Sequence, residues 1–312
     1  MARHRHHSAS RTPRYLAIGA VAALSGAFGV IYAGSEPQGS RGPASAVSAV
    51  TALPGTPATA SAQADVEAAV QEVVAEADGN AAVAVLDLSS GASASAGTAA
   101  ADGHGFATAS IVKVGILAAL LLQANDEGRS LTAQERQWAT AMIESSDNAA
   151  ANALWDVIGG GQGLTNANSR LGLTETVSGE GGYWGLTRTT PEDQLRLLRA
   201  VFSDESALSE EARAYLRGLM GSVAADQDWG ISAAADDPGS AQLKNGWLAR
   251  SGTGLWVTNS IGRVEASGHT LLLAVLCDDQ PSKETGVALI EDLAVAAVRP
   301  FTATAEGARA GE

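Results

Sequence analysis

Apolar residues recur along this chain in different rhythms, and the changes of rhythm mark its elements. Val66, Ala69, Val70, Val73 and Val74 fall at helical spacing between Asp65 and Ala77. Ala81–Leu88 predicts a strand, Ser89-Ser90-Gly91 a turn, and Ala92–Gly97 a weaker partner strand. Val114–Gln123 is an apolar helical run. Thr132–Ser145 predicts a helix with Trp138, Ala139 and Met142 inward. Two shorter helices follow at Ala149–Ile158 and Leu164–Leu171, parted by the break at Gly159–Gly163. Residues 172–188 read as an irregular loop, too long to be idle in a compact domain. Pro191–Phe202 and Ser209–Val223 are amphipathic helices with start signals in Thr190-Pro191-Glu192-Asp193 and Ser209-Glu210-Glu211. Ala241–Arg250, Leu255–Glu265 and Thr270–Cys277 predict three strands joined by Gly-containing turns, an antiparallel meander. Ser282–Val298 predicts a terminal helix.

The order is helix, hairpin, helical block, three strands, helix. It implies an α+β fold: an antiparallel sheet flanked by the N- and C-terminal helices, with an all-helical subdomain inserted. The folded domain is expected over residues 65–301, with a loose tail at 302–312. Ahead of it, residues 1–14 are basic and polar, and residues 15–33 are uncharged and apolar. That is the pattern of a signal peptide cleaved near Ala33-Gly34, or of a signal anchor. Residues 34–64 are rich in Gly, Pro, Ala, Ser and Thr and read as a flexible linker. The domain is therefore expected outside the cell or on the outer face of its membrane. No cysteine lies near the end of the apolar run, which excludes a lipoprotein anchor.

Composition narrows the chemistry. The net charge is −14, and the body is more acidic still once the four arginines of residues 1–33 are set aside. Such a body repels phosphate backbones, so nucleic acid is not an expected partner. The one cysteine, Cys277, ends an apolar strand and reads as a buried core residue. It allows no internal disulfide and no cysteine zinc cluster. No ligand cluster implies a metal or organic cofactor. Past residue 33, histidine occurs only at His104 and His269, both in turn-like settings and read as loop residues.

Lysine occurs only at positions 113, 244 and 283. Two of the three fall in short strings that carry candidate chemistry. Ser110 and Lys113, three residues apart at the start of the apolar helix, share one face. Ser110 lies where a helix N-terminus favours a developing oxyanion. Lys113 is walled by Ile111, Val112, Val114 and Ile116, and desolvation would leave its amine neutral often enough to take a proton from Ser110. Ser146-Asp147-Asn148 lies between two helices. Lys244-Asn245-Gly246 lies in a strand whose edge suits a substrate backbone.

In this order, these strings resemble the S-x-x-K, S-D-N and K-T-G set of class A β-lactamases and penicillin-binding proteins. The resemblance covers the folded part, roughly residues 65–300. Asn148–Leu154 with Ile158-Gly159-Gly160, Thr189-Thr190-Pro191, and Asn259-Ser260-Ile261-Gly262 are similar to further family landmarks. It implies a serine hydrolase of class A β-lactamase type, monomeric by family default, acylated by β-lactams or related peptidoglycan-type amides and then hydrolysed; the alternatives are a D,D-peptidase or penicillin-binding-type enzyme with slow deacylation, or a non-catalytic cell-wall binding module on the same fold. Ser110 would be acylated and Lys113 would hold its proton. Ser146 would bridge protons between Lys113, Lys244 and the leaving nitrogen. Asn148 would position Lys113 and the substrate. Lys244 would supply positive potential, and Gly246 would belong to the substrate-binding strand. The backbone N–H groups of Ser110 and Trp247 would form the oxyanion hole. Three departures stand out. Ser110 and Ser146 are 36 residues apart, so the helical subdomain is trimmed. Asn245 replaces the hydroxyl residue that faces the substrate carboxylate. For the water-activating carboxylate of the loop before Thr189-Thr190-Pro191, Glu175 is the first choice and Glu180 the second.

Overall fold

A computed structural model describes residues 57–98 and 105–309 of the 312-residue chain. The expected leader, most of the expected linker and His104 lie outside the described residues. Helix α1 (Pro57–Val74) is followed by β1 (Asn80–Asp87), β2 (Ser93–Gly97) and the short β3 (Phe106–Ala107). The helical block is α2 (Val112–Asp126), α3 (Ala133–Glu144), α4 (Asn148–Val157) and α5 (Gly160–Leu171). It continues after a long loop with β4 (Arg188–Thr189), α6 (Pro191–Phe202) and α7 (Glu210–Met220). Strands β5 (Gln242–Ala249), β6 (Trp256–Ala266) and β7 (His269–Gln280) then lead into α8 (Lys283–Arg309).

Five strands form one antiparallel sheet in the order β2-β1-β7-β6-β5. Its central strand shows why the sequence reads as a near-continuous apolar run: both faces are covered. Leu272, Ala274 and Leu276 of β7 pack into the core shared with the helical block. Leu271, Leu273, Val275 and Cys277 pack against α1 and α8 on the other face. The helical block is built around α2, which is buried from Val112 to Leu122 on every side. Amphipathic helices close over it. α3 begins with a capping box in which Thr132 and Glu135 each satisfy the other's backbone N–H, and α6 begins with Pro191 in its first turn behind the Thr190 cap. The expected fold class is the one observed, an antiparallel sheet between terminal helices with an all-helical insertion.

The element boundaries differ in instructive places. The first helix starts at Pro57, so residues 57–64 are helical where the composition predicts linker. The alanines of this stretch are strong helix formers and Pro57 suits a helix start. Gln63 then ties the helix to β2, its amide donating to Ser95 O and its carbonyl accepting from Ser95 N. The last helix passes through Pro300 to Arg309, taking in residues expected to be tail. His269 opens β7 rather than sitting in a loop, with Nδ1 3.0 Å from Asp87 Oδ2. The two-residue strands β3 and β4 have no periodic signature, yet their pairing fixes the segment just ahead of Ser110.

Candidate active site

The segment that carries Ser110 is held from two sides. Thr108 N donates to Thr187 O at 2.8 Å, beside the β3–β4 pair. From the large sheet, the amide of Asn259 donates to Ala107 O at 2.8 Å and Thr108 O at 3.0 Å. The chain then makes a tight 3₁₀ turn over Ala109–Ile111 that feeds α2. Ala109 takes a left-handed conformation, φ +45°, which for a residue with a Cβ costs about 1–2 kcal/mol. The strain is sustained by the bonds on either side of it and lifts Ser110 out of the wall of the core.

Strand β5, at the edge of the sheet, lies directly against this turn. A methyl group on Gly246 would sit 2.7 Å from Ser110 N and 2.9 Å from both Ile111 N and Thr108 O. All three are backbone atoms, so no side chain can yield. Gly246 is what lets the strand backbone approach Ser110.

Lys113 reaches back along the face it shares with Ser110. Its Nζ lies 3.0 Å from Ser110 Oγ, 2.8 Å from Asn148 Oδ1, 2.7 Å from Ser146 O and 3.1 Å from Ser146 Oγ. Lys244 Nζ lies 3.0 Å from the same Ser146 Oγ and 2.9 Å from Asn245 O. Ser146 is thus a hydroxyl held between two amines, and it too is left-handed, φ +55°. Asp147 caps α4 by accepting from Ala150 N, which turns Asn148, the first residue of that helix, toward Lys113. Three strings far apart in sequence therefore converge, through Ser110, Lys113, Ser146, Asn148 and Lys244, on one chamber.

Both lysines are fully buried, and burial disfavours their charged forms. Lys113 is driven well below the usual lysine range, first by desolvation and then by the nearby charge of Lys244, with Asp147 opposing. Desolvation brings Lys244 down to about 7. The indole of Trp184 closes the chamber, its centroid 5.0 Å from Lys113 Nζ and its Nε1–H donating to Asn152 Oδ1 at 2.8 Å.

Two expected site residues are placed differently. Asn245 is buried, and both hydrogens of its amide are taken, by Gln227 O at 2.9 Å and Trp229 O at 2.7 Å. It braces the 227–229 turn and is not available to a substrate carboxylate. Glu175 is exposed. Its carboxylate accepts from Thr190 at 3.5 Å and its N–H donates to Asp193, at the start of α6. Its hydrogen bonds do not go to Ser110, Lys113 or Asn148. Glu180 is exposed as well, in a 3₁₀ turn of the same loop. Asn259, Trp184 and Asn152 are site residues without a motif of their own. Asn259 and Asn152 sit in strings that resemble family landmarks, and nothing local marks Trp184.

The two amines set the pH response. For Lys113 to take a proton from Ser110 it must be neutral, so acylation by that route would rise as pH climbs through the lowered Lys113 pKa. The positive potential of Lys244 disappears as pH passes about 7. Second-order acylation of the free protein is expected to follow a bell whose alkaline limb falls near 7, measured by stopped flow across pH 4–10; Lys244→Arg should remove that limb. Lys244 also weakens the fold. Between about 7 and the ordinary lysine value of 10.5 the unfolded chain binds a proton that the native one does not, so the stability lost to this group at acid and neutral pH is regained as pH rises. Lys244→Met should therefore raise stability at pH 6–7 by on the order of 1–3 kcal/mol, with a smaller gain at pH 10, measured by urea unfolding.

Comparison with known proteins bears on the family and the fold. The model of the beta-lactamase enzyme family matches residues 65–136 and 131–301. Solved structures share the fold. One is TLA-3 extended-spectrum beta-lactamase, 17% identical at a TM-score of 0.67 over 77% of this chain and 99% of that one. PBP-A is 23% identical at 0.62 over 76% and 95%. A class A beta-lactamase from Bacteroides cellulosilyticus is 15% identical at 0.64 over 78% and 99%. Among curated proteins, "Putative lipoprotein LppW" of Mycobacterium tuberculosis is 35% identical over 115 residues, 36% of this chain. That match spans about a third of the relative's own length, 35%. With a family model covering nearly all of the described domain, the chain belongs to the beta-lactamase enzyme family.

Proposed function

We propose that this protein is a serine acyl hydrolase of penicillin-binding type, acylated at Ser110 by β-lactam or peptidoglycan-type amides and slow to release the acyl group. The observation that carries the reading is the unbroken contact from Ser110 Oγ through Lys113 Nζ and Ser146 Oγ to Lys244 Nζ. Ser110 Oγ attacks the substrate carbonyl carbon and gives its proton to neutral Lys113. The oxyanion that forms is met by the backbone N–H groups of Ser110 and Trp247, a pairing supported by the close approach of Gly246 to Ser110 N. As the C–N bond breaks, the proton passes from Lys113 through Ser146 to the leaving nitrogen. Lys244 steadies the Ser146 oxygen during that transfer. Ser110 is left as an ester.

Hydrolysis of that ester needs a base for water. The observation that favours slow release is the position of Glu175, whose hydrogen bonds go to the start of α6, together with the Trp184 ring lying over Lys113. Among the described residues Lys113 has no ion pair with a carboxylate; its partners are Ser110, Ser146 and Asn148. With this arrangement the acyl group is expected to stay on Ser110, whereas a β-lactamase proper would turn over. The expected station is the cell envelope, in keeping with the lipoprotein name of its curated relative and with the basic-then-apolar opening of the chain. The described helix long and apolar enough to cross a membrane is the one through α2, and it is spent on the core.

Mass spectrometry of the intact protein with benzylpenicillin is the direct test. One adduct per chain should form on Ser110, persist for minutes or longer, and be absent from Ser110→Ala. Rapid turnover of a chromogenic cephalosporin would replace slow release with β-lactamase activity. An unlabelled wild-type protein would refute the acylation itself.

A further inference from the structure

Within the helical block, away from Ser110, three helices leave a gap between them. The far half of α2, the first turns of α3 and α7, and the turn that joins α2 to α3 enclose a cavity of about 410 Å³. That size lies within the usual range of small-molecule sites. Its floor is apolar, formed by Leu121, Ala124, Leu131 and Ala212. The half-buried ring of Tyr215 makes one wall. Its hydroxyl donates to Arg136 O at 3.5 Å, which ties α7 to α3. Leu121 lies eight residues beyond Lys113 on α2, about 12 Å along the helix, and no residue lining the cavity belongs to the Ser110 chamber.

The charges around the cavity decide what fits it. Arg129, Arg136 and Glu211 all line it. Arg129 is already neutralised, by Glu127 at 2.5 Å and Glu135 at 3.0 Å. Arg136 on α3 and Glu211 on α7 are exposed, and among the described residues neither makes an ion pair, with the other or with any third group. Arg136 spends one guanidinium hydrogen on Leu131 O and keeps further donors. One unspent charge of each sign therefore stands on a different helix at the border of a single apolar cavity. A simple acid entering it would be drawn by Arg136 and repelled by Glu211, and a simple amine would meet the reverse. A molecule that carries both charges at one end and an apolar body at the other satisfies both residues and fills the floor.

We propose that this cavity binds a free α-amino acid with an apolar or aromatic side chain, its carboxylate on Arg136, its ammonium on Glu211 and its side chain against Tyr215 and Leu121. The proposal stands apart from the reading of Ser110 as the acylated nucleophile. α2 and α3 reach the cavity at the ends opposite to those that place Lys113 and Ser146. The bound amino acid is a second ligand, distinct from the acyl substrate.

Amide chemical shifts of the ¹⁵N-labelled protein, titrated with three probes, test it. L-phenylalanine carries both charges, 3-phenylpropanoate lacks the ammonium, and 2-phenylethylamine lacks the carboxylate. L-phenylalanine should give saturable shifts in Leu121–Asn125 and Ala212–Tyr215, and should bind more tightly than either analogue. Arg136→Gln should weaken L-phenylalanine about 5-fold, near the upper worth of an exposed ion pair, without weakening 2-phenylethylamine. Glu211→Gln should weaken L-phenylalanine by a similar factor without weakening 3-phenylpropanoate. Both residues are exposed, so the undiminished analogue also reports that the cavity is intact in each variant. Absence of saturable shifts, shifts confined to other surfaces, or equal affinity for the three probes would overturn the site. Equal loss of all probes in a variant would assign that residue to shaping the cavity and overturn its part as a charge partner. Acylation by benzylpenicillin plays no part in the readout, so a protein that fails to acylate can still pass this test.

Discussion

The structure depends on one unfavourable arrangement, two lysine amines buried around a single serine hydroxyl. Lys113 and Lys244 each have a relative exposure of 0% and share Ser146 Oγ at 3.1 and 3.0 Å. In water two ammonium groups so placed would be solvated and would repel each other weakly. Here the low dielectric strengthens both penalties, and the cheaper outcome is for at least one amine to give up its proton. The lowered proton affinity of Lys113 follows from burial, and it leaves a neutral amine free to accept the Ser110 proton in the proposed acyl transfer. The remaining features of the site maintain that condition. Asn148 and the Ser146 carbonyl satisfy Lys113 without adding a compensating negative charge. The Trp184 ring faces Lys113 Nζ at 5.0 Å.

The fold sustains this cost because the two amines belong to different parts of it. Lys113 rides on α2, the apolar centre of the helical block, and Lys244 on the edge of the sheet. Ser146 projects from the joint between α3 and α4. Neither layer could hold both amines alone, since the chamber is the gap left where an inserted helical block meets a sheet edge. The close approach at Gly246, the left-handed turns at Ala109 and Ser146, and the bracing amides of Asn259 and Asn245 are the local means by which the gap keeps its shape. Non-glycine residues with positive φ are uncommon, and two of the four in the described chain border this chamber.

How much of this the sequence reveals depends on where the information is stored. Elements whose apolar rhythm matches their burial, such as α2, α6 and the β5–β7 meander, are readable almost to the residue. So are the three short strings, because together they resemble a family set and the fold brings them to one chamber. The start of α1 is not readable from composition: Ala-rich sequence is ambiguous between linker and helix, and the decision comes from Gln63 finding the edge of β2. Asn245 and Glu175 illustrate the same limit inside the site. Position along the chain puts both near the substrate. The contacts that reassign them, to Trp229 O and to Thr190, are made with residues 15 or 16 positions away, in loops without periodicity. The contacts of Trp184 with Lys113 and of Lys283 with Trp247 are made through ring faces, which leave no spacing for a motif to record.

The central claim concerns the charge of one amine, and the chain suits its measurement because it contains only three lysines. Labelling lysine Cε with ¹³C gives three resonances, assigned by single Lys→Arg replacements, whose chemical shifts report each amine as pH is varied. The account predicts that Lys244 titrates at about 7 and that Lys113 loses its proton well below the ordinary lysine value of 10.5. If both resonances instead titrate near 10.5, Lys113 is an ammonium at neutral pH, and the chamber has no base with which to activate Ser110.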